Sequence, residues 1–215
     1  RFSPDGTMIA FTSRTRHERY SAKDERWQAP RKIDRFFSRL DDVGWVIDRP
    51  KHVYLVRTDG SGAPRNLTPG EFQHDGVSWL PDSSGVVTSA QRHATWDLDF
   101  AQDLYRVGLD GTVTALTAQS GLYFLPSVSP AGDRVAFLGY DDPNEMPQNA
   151  HIGVVGIDGG VHTFLSTGLD RTFETTAGAR SAVWESADAL LAVAEDRGET
   201  HLFRITSDGG SPQRL

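Results

Sequence analysis

The chain has 215 residues, of which 24% are charged, with a formal net charge of -7 and a mean hydropathy of -0.42. This composition excludes a disordered chain and a membrane-spanning one, since no apolar run approaches the roughly 18 residues that a spanning helix needs. The acidic charge argues against nucleic acid as the main partner, because phosphate binding needs a basic face, and the absence of cysteine rules out disulfides and thiolate metal sites.

The first segment, residues 2–13, has the pattern of two short strands joined by the turn Ser3-Pro-Asp-Gly6. A third strand does not follow at once. Residues 14–51 form a long insert, and the strand His52-Val-Tyr-Leu-Val56 comes after it. Residues 14–49 of the insert contain ten Lys/Arg and seven Asp/Glu. Loops longer than about 12–15 residues are usually functional or disordered. Because this insert also carries aromatic residues that need burial, we expect it to fold and to have a function.

The middle of the insert is compatible with two structures. Four apolar residues there follow the spacing of one helical face: Ile33, Phe36, Phe37 and Leu40. The i, i+3, i+4, i+7 spacing predicts a short helix over Arg31–Leu40. A strand pair that packs against the rest of the chain fits almost as well.

The cations of the insert indicate a binding role. Guanidinium groups bind carboxylates with two parallel hydrogen bonds, so they suit a substrate carboxylate or an acidic partner. We expect Lys23 to Pro50 to line an entrance, with four candidate substrate-gating residues: Arg31, Arg35, Arg39 and Trp45. The alternative is a solvated face, in which the cations pair with neighbouring carboxylates as charged runs usually do. Those carboxylates are Asp34, Asp41 and Asp42.

Three markers recur along the chain with one period. Asp-Gly pairs begin at residues 59, 110, 158 and 208, leucines follow at 67, 116, 165 and 215, and Ser-Pro-Asp-Gly-like turns open the repeats. A period of about 50 residues is typical of propeller blades, which stack because a lone four-stranded sheet cannot bury either face. An Asp-Gly pair between two strand-like runs also predicts a two-residue hairpin.

These markers predict an all-β fold, a β-propeller with about four four-stranded antiparallel blades and a long insert in the first. Blade one is residues 1–68 with the insert at 14–51, blade two is 73–117, blade three is 122–166 and blade four is 178–215. Since the chain begins and ends inside a blade motif, we expect it to be a piece of a longer protein.

The residues give no indication of a catalytic centre. Three histidines occupy equivalent repeat positions on different blades, so they cannot form one site: His52, His151 and His201. The aspartates of the Asp-Gly pairs are turn residues. No serine lies in a Gly-x-Ser-x-Gly elbow, and zinc, dinucleotide and P-loop motifs are missing. We therefore expect no catalytic residue, metal or cofactor in this chain.

The repeats resemble those of the prolyl oligopeptidase family of serine peptidases. They contain Ser-Pro-Asp-Gly, Ile-Ala-Phe, Val-Tyr-Leu-Val-x-x-Asp-Gly and Leu-Thr, and the Tol translocation proteins use similar repeats. The insert is more specific. Its segments Ala29-Pro-Arg-Lys-Ile-Asp-Arg35, Asp42-Val-Gly-Trp45 and Asp48-Arg-Pro-Lys-His-Val-Tyr54 resemble the blade insertion of bacterial acylaminoacyl peptidases.

This resemblance implies a seven-bladed propeller that caps a C-terminal α/β-hydrolase domain and restricts entry to short peptides. We expect a cytoplasmic parent protein to hydrolyse such peptides, with the catalytic triad outside this chain. The missing blades and the hydrolase domain would then be its partners, and self-association of an open set of blades is a further expectation. The alternative is a non-enzymatic binding propeller of the Tol type, with a protein partner.

Overall fold

The computed structural model describes residues 1–41, 43–118, 121–175 and 178–215. In these ranges four antiparallel sheets of three or four strands follow one another, and a two-stranded sheet lies in the insert, which confirms the all-β prediction. The helical content of the described residues is limited to two 3₁₀ turns, Glu18–Tyr20 and Glu25–Trp27. None of the helical segments in these ranges has the length and apolar character needed to cross a membrane.

Each blade pairs its strands in chain order. Blade one and its insert contain β1 (Met8–Arg14), β2 (Arg39–Leu40), β3 (Gly44–Trp45), β4 (Lys51–Arg57) and β5 (Arg65–Asn66). Blade two contains β6 (His74–Trp79), β7 (Gly85–Ala90), β8 (Asp103–Gly108) and β9 (Val113–Ala115). Blade three contains β10 (Gly121–Val128), β11 (Arg134–Asp141), β12 (His151–Gly156) and β13 (Thr163–Phe164). Blade four contains β14 (Val183–Trp184), β15 (Ala189–Asp196), β16 (Glu199–Thr206) and β17 (Gln213–Arg214).

Blade one departs from the four-stranded pattern. Its sheet has the order β1-β4-β5, and an isolated bridge between Phe2 and Ile9 stands in place of an innermost strand. Within the insert, β2 pairs with β3 alone. The prediction of a helix over Arg31–Leu40 is therefore wrong and the strand pair is confirmed. Phe36 remains 74% exposed, so the helical spacing does not mark a buried face.

The Asp-Gly hairpins are longer than the predicted two residues. In blade two, the Gly108 amide donates to the Thr112 carbonyl and the Gly111 amide donates to the Gly108 carbonyl, each at 2.9 Å, which leaves three residues in the loop. Gly111 has a φ of +90°, a conformation that favours glycine. Asp110 Oδ1 accepts a hydrogen bond from the Thr112 amide at 2.9 Å, so the aspartate has the turn role that its sequence predicts.

Consecutive blades bury apolar clusters between them. Blades one and two share a cluster that includes Val53 and Trp79. Blades two and three share one around Phe137, and blades three and four share one that includes Leu138 and Leu190. Among the described residues no such cluster joins blade four to blade one. Self-association remains a prediction.

Tryptophan indoles tie neighbouring blades together. Trp79 Nε1 donates to the Arg1 carbonyl at 3.0 Å, and Trp184 Nε1 donates to the Ser127 carbonyl at 2.9 Å. We expect Trp184→Phe, which keeps a ring but removes the donor, to lower the free energy of unfolding by about 1 kcal/mol in urea titrations. Trp27→Phe is the control, because Trp27 is 79% exposed. Equal stability of the two variants would contradict this role of the indole.

The connections between strands lie on two opposite faces of the blades. Because consecutive strands are antiparallel, the turns after the first and third strands of each blade share one end. The insert, the other second-to-third-strand loops and the blade-to-blade connections share the opposite end, which we call the loop face. One contact supports this common position. Asn149 Nδ2, in the second-to-third-strand loop of blade three, donates to Asp170 Oδ1, in the connection between blades three and four, at 2.9 Å.

Candidate functional site

A stack of cationic and aromatic side chains holds the insert together. The guanidinium carbon of Arg31 lies 4.9 Å from the ring centroid of Tyr20 and 4.9 Å from that of Trp45. The guanidinium carbon of Arg39 lies 5.6 Å from the Trp45 ring. Cation–π contacts of this kind stabilise exposed sites by about 0.5–1 kcal/mol each. The structure thus brings together three of the four predicted gating residues.

Asp48 is a buried carboxylate that joins this stack to the end of the insert. Its Oδ2 lies 3.3 Å from Arg31 Nη2, its Oδ1 lies 2.6 Å from Arg49 Nε, and its side chain is 1% exposed. Burial alone would raise the pKa of Asp48, but the hydrogen bonds and charges of Arg49 and Arg31 outweigh it and hold the pKa below its usual value. Arg31 is therefore already engaged in an internal ion pair.

The fourth predicted residue, Arg35, lies apart from this stack. Its Nη2 is 2.6 Å from Glu71 Oε2, in the connection between blades one and two. Its guanidinium carbon is 5.3 Å from the ring of Trp96, in a loop of blade two. Arg35 thus ties the insert to the second blade. The gating role of all four residues remains a prediction.

The alternative prediction, that the cations of the insert pair with neighbouring carboxylates on a solvated face, holds for one pair. Lys32 Nζ lies 3.2 Å from Asp34 Oδ2, and both side chains are largely exposed. Asp41 forms no ion pair with a described residue, and Asp42 lies outside the described residues. The predicted arginines instead use aromatic rings and carboxylates elsewhere in the fold.

Three cavities form a chain beneath the insert on the loop face, and we call them together the insert groove. The outer cavity, of about 660 Å³, lies between residues 15–20 and the outer strands of blade one. The middle one, of about 180 Å³, shares Asp34 and Glu71 with the outer one. The inner one, of about 130 Å³, shares Gln73 with the middle one and reaches His74 in the first strand of blade two. The shared residues place the three cavities side by side, from the outer strands of blade one to the first strand of blade two.

Part of the lining of this groove lies outside the residues predicted from the sequence. Arg16, Arg19 and Tyr20 line its outer cavity, whereas the entrance was expected to begin at Lys23. The available signal was the high density of arginine between residues 14 and 19. Their position could not be derived from the sequence, because it depends on how the insert folds back over β4.

One of the repeated histidines, His151, has a partner within its own blade. His151 Nδ1 lies 3.4 Å from Ser166 Oγ, which accepts a hydrogen bond from the Ile152 amide at 2.9 Å. In blade two the equivalent carboxylate, Asp103 Oδ1, accepts from Thr117 Oγ1 at 2.7 Å. Burial lowers the pKa of His151. Since Ser166 is fully buried, this serine–histidine contact joins strands of one blade and is not accessible to a substrate.

The four stacked antiparallel blades define a propeller-type protein, which confirms the predicted fold class. No family model matches the chain. An uncharacterized protein of Agrobacterium fabrum, Atu1656, is 30% identical over 119 residues, which make up 54% of this chain and 38% of that protein.

Solved structures with the same fold include peptidases and TolB proteins. The acylaminoacyl peptidase of Pyrococcus horikoshii has a TM-score of 0.68 at 14% identity, over 100% of this chain and 30% of that one. The putative TolB from Agrobacterium tumefaciens has a TM-score of 0.63 at 19% identity, over 99% of this chain and 62% of that one. Identities this low show the fold alone. The chain spans less than two thirds of each of these relatives, and a ring of seven blades remains a prediction.

Proposed function

We propose that this chain is the propeller portion of a cytoplasmic serine peptidase similar to acylaminoacyl peptidases, and that it restricts the access of short peptides to a hydrolase domain. The observation that carries the proposal is the insert groove, which leads beneath the insert towards an inner strand. The outer strand of each blade ends at the loop face, so a domain that follows the last blade in the chain would begin there. The insert groove lies on the same face, beside the expected position of a hydrolase domain.

The chemistry of such a peptidase is assigned to residues outside this chain. Peptide hydrolysis by a serine peptidase needs a nucleophile, a base and an oxyanion hole in one place. Among the described residues, the serine whose hydroxyl contacts a histidine ring is Ser166, and it is buried away from any substrate. No three histidine or acidic side chains of the described residues converge as metal ligands would. The proposed contribution of this chain is steric selection and substrate positioning.

The test compares the full gene product with the 215-residue chain. We expect the full protein to hydrolyse acyl-peptide or peptide p-nitroanilides and the 215-residue chain to be inactive. In the full protein, Arg35→Ala and Arg39→Ala should change KM or the size limit for substrates and leave kcat nearly unchanged, as a loss of uniform binding does. Arg214→Ala, on the exposed edge of blade four, is the matched control.

Two outcomes would contradict this proposal. One is turnover by the 215-residue chain that a serine reagent abolishes, because the chain would then hold its own nucleophile. The other is a full gene product without a Gly-x-Ser-x-Gly elbow and without hydrolase activity. Unchanged kinetics in both arginine variants would limit the role of Arg35 and Arg39 to packing.

A non-enzymatic Tol-type propeller is the second candidate. The observation in its favour is that this chain covers 62% of the putative TolB structure, compared with 30% of the peptidase. Such a protein would bind a protein partner and would carry a secretory signal. The gene sequence distinguishes the two candidates, since a downstream nucleophile elbow supports the peptidase and an upstream signal peptide supports the Tol type.

A further inference from the structure

The carboxylates that line the insert groove already have cationic partners. Four acidic residues line it, and each forms an ion pair within the fold: Asp34 with Lys32, Asp48 with Arg31 and Arg49, Glu71 with Arg35, and Asp75 with Lys51. Their negative charge is therefore largely neutralised. The charge presented to a ligand depends on the remaining cations of the groove.

Three arginines of the groove form no ion pair within 4 Å with a carboxylate of the described residues, although the charge of Asp75 in the inner cavity acts on Arg14. Arg14 Nη1 donates to the Arg49 carbonyl at 3.0 Å, and Arg16 Nη1 donates to the Tyr20 carbonyl at 3.4 Å. The guanidinium of Arg19 forms no hydrogen bond or ion pair with any described residue. Arg14 lies at the inner end of the groove, and the other two lie at the outer end. Each guanidinium retains donors that suit a carboxylate.

The walls between these arginines suit an extended peptide. Tyr20 and Tyr54 give ring surfaces to the outer cavity, and Ile47 and Pro50 give it apolar walls. His52 also lines this cavity and is 6% exposed. The outer volume of about 660 Å³ lies within the usual range of roughly 300–1,000 Å³ for ligand pockets.

We propose that the insert groove binds an acidic peptide segment in extended conformation, with its carboxylates on Arg16 and Arg19. The inner arginine, Arg14, is placed to meet a further carboxylate of the same segment. A peptide is favoured over a nucleic acid because the whole chain carries a net charge of -7, which repels a polyphosphate backbone. This site does not depend on the peptidase proposal, since binding is measured without turnover.

The test is a binding titration with a defined probe. Fluorescein-labelled Ala-Glu-Phe-Glu-Ala-Glu with a free carboxyl end is titrated with the purified protein at low salt, followed by anisotropy. We expect the double variant Arg16→Gln/Arg19→Gln to raise Kd by about tenfold, because each arginine loses a charge-assisted hydrogen bond. The matched control is Arg180→Gln/Arg214→Gln, two exposed arginines outside the groove, which should change Kd by less than about twofold.

A charge reversal distinguishes recognition from general attraction. Arg19→Glu should weaken binding of the glutamate peptide and strengthen binding of the same peptide with lysine in place of glutamate. Equal Kd values for the two double variants would overturn the proposal. So would equal binding of the glutamine analogue with an amidated end, or stronger binding of a single-stranded oligonucleotide of equal charge. Because Arg16 and Arg19 are exposed, their replacement should leave the thermal unfolding curve unchanged.

Discussion

Phe137→Ala is expected to lower the free energy of unfolding by about 3–5 kcal/mol, measured in urea. Phe137 is fully buried between blades two and three, with its ring centroid 5.2 Å from that of Tyr123 and 5.8 Å from that of Phe164. Since domains are stable by only about 5–15 kcal/mol, this is a large fraction of the total. Val161→Ala is the control, because Val161 is 95% exposed and should change stability by less than about 0.5 kcal/mol.

The ring of Phe137 also explains the glycine on the neighbouring strand. A Cβ at position 153 would lie 2.4 Å from Phe137 Cζ, so Gly153→Ala should destabilise by about 1–3 kcal/mol through overpacking. Phe137→Leu should relieve part of this clash. The double variant Gly153→Ala/Phe137→Leu is then less destabilised than the sum of the single changes. If the changes in the free energy of unfolding were strictly additive, the ring of Phe137 would not be the reason for a glycine at position 153.

Asp48→Asn is expected to release the insert from blade one. Removal of one partner of a buried ion pair costs about 3–5 kcal/mol, and since Arg31 and Arg49 are partly exposed we expect the lower end of this range. Trypsin should then cleave at the lysines and arginines of the insert roughly a hundredfold faster, because cleavage follows the population of the opened segment. Asp41→Asn, on the exposed part of the insert, is the control. Unchanged cleavage would mean that other contacts hold the insert.

The same carboxylate predicts a pH dependence. The pKa of Asp48 is lowered in the folded protein, so its stabilisation is present above the usual carboxyl pKa of about 4 and is lost as the pH falls through the folded value. Hydrogen exchange of the insert amides, corrected for intrinsic rates, should therefore accelerate in acid in the wild type. In Asp48→Asn the acid dependence should be weaker. Equal acid dependence in both proteins would exclude Asp48 as the group responsible.

The blades could be predicted from the residues alone. Asp-Gly turns, closing leucines and alternating strands are local signals, and their period of about 50 residues predicts consecutive antiparallel sheets that must stack. The residues also identified turn aspartates such as Asp110. These inferences succeed because a residue's turn preference or its place in a repeat does not require knowledge of distant contacts.

The path of the insert and its groove could be found only from the folded protein. The spacing of Ile33 and Phe36 fits a helix, yet the segment follows the Arg31 stack, the buried Asp48 and the contact of Arg35 with blade two. Hairpin length was likewise set by hydrogen bonds between backbone groups rather than by the Asp-Gly pair. Each of these outcomes depends on contacts between residues far apart in the chain, whose energies outweigh local propensity and leave no periodic signal in the sequence.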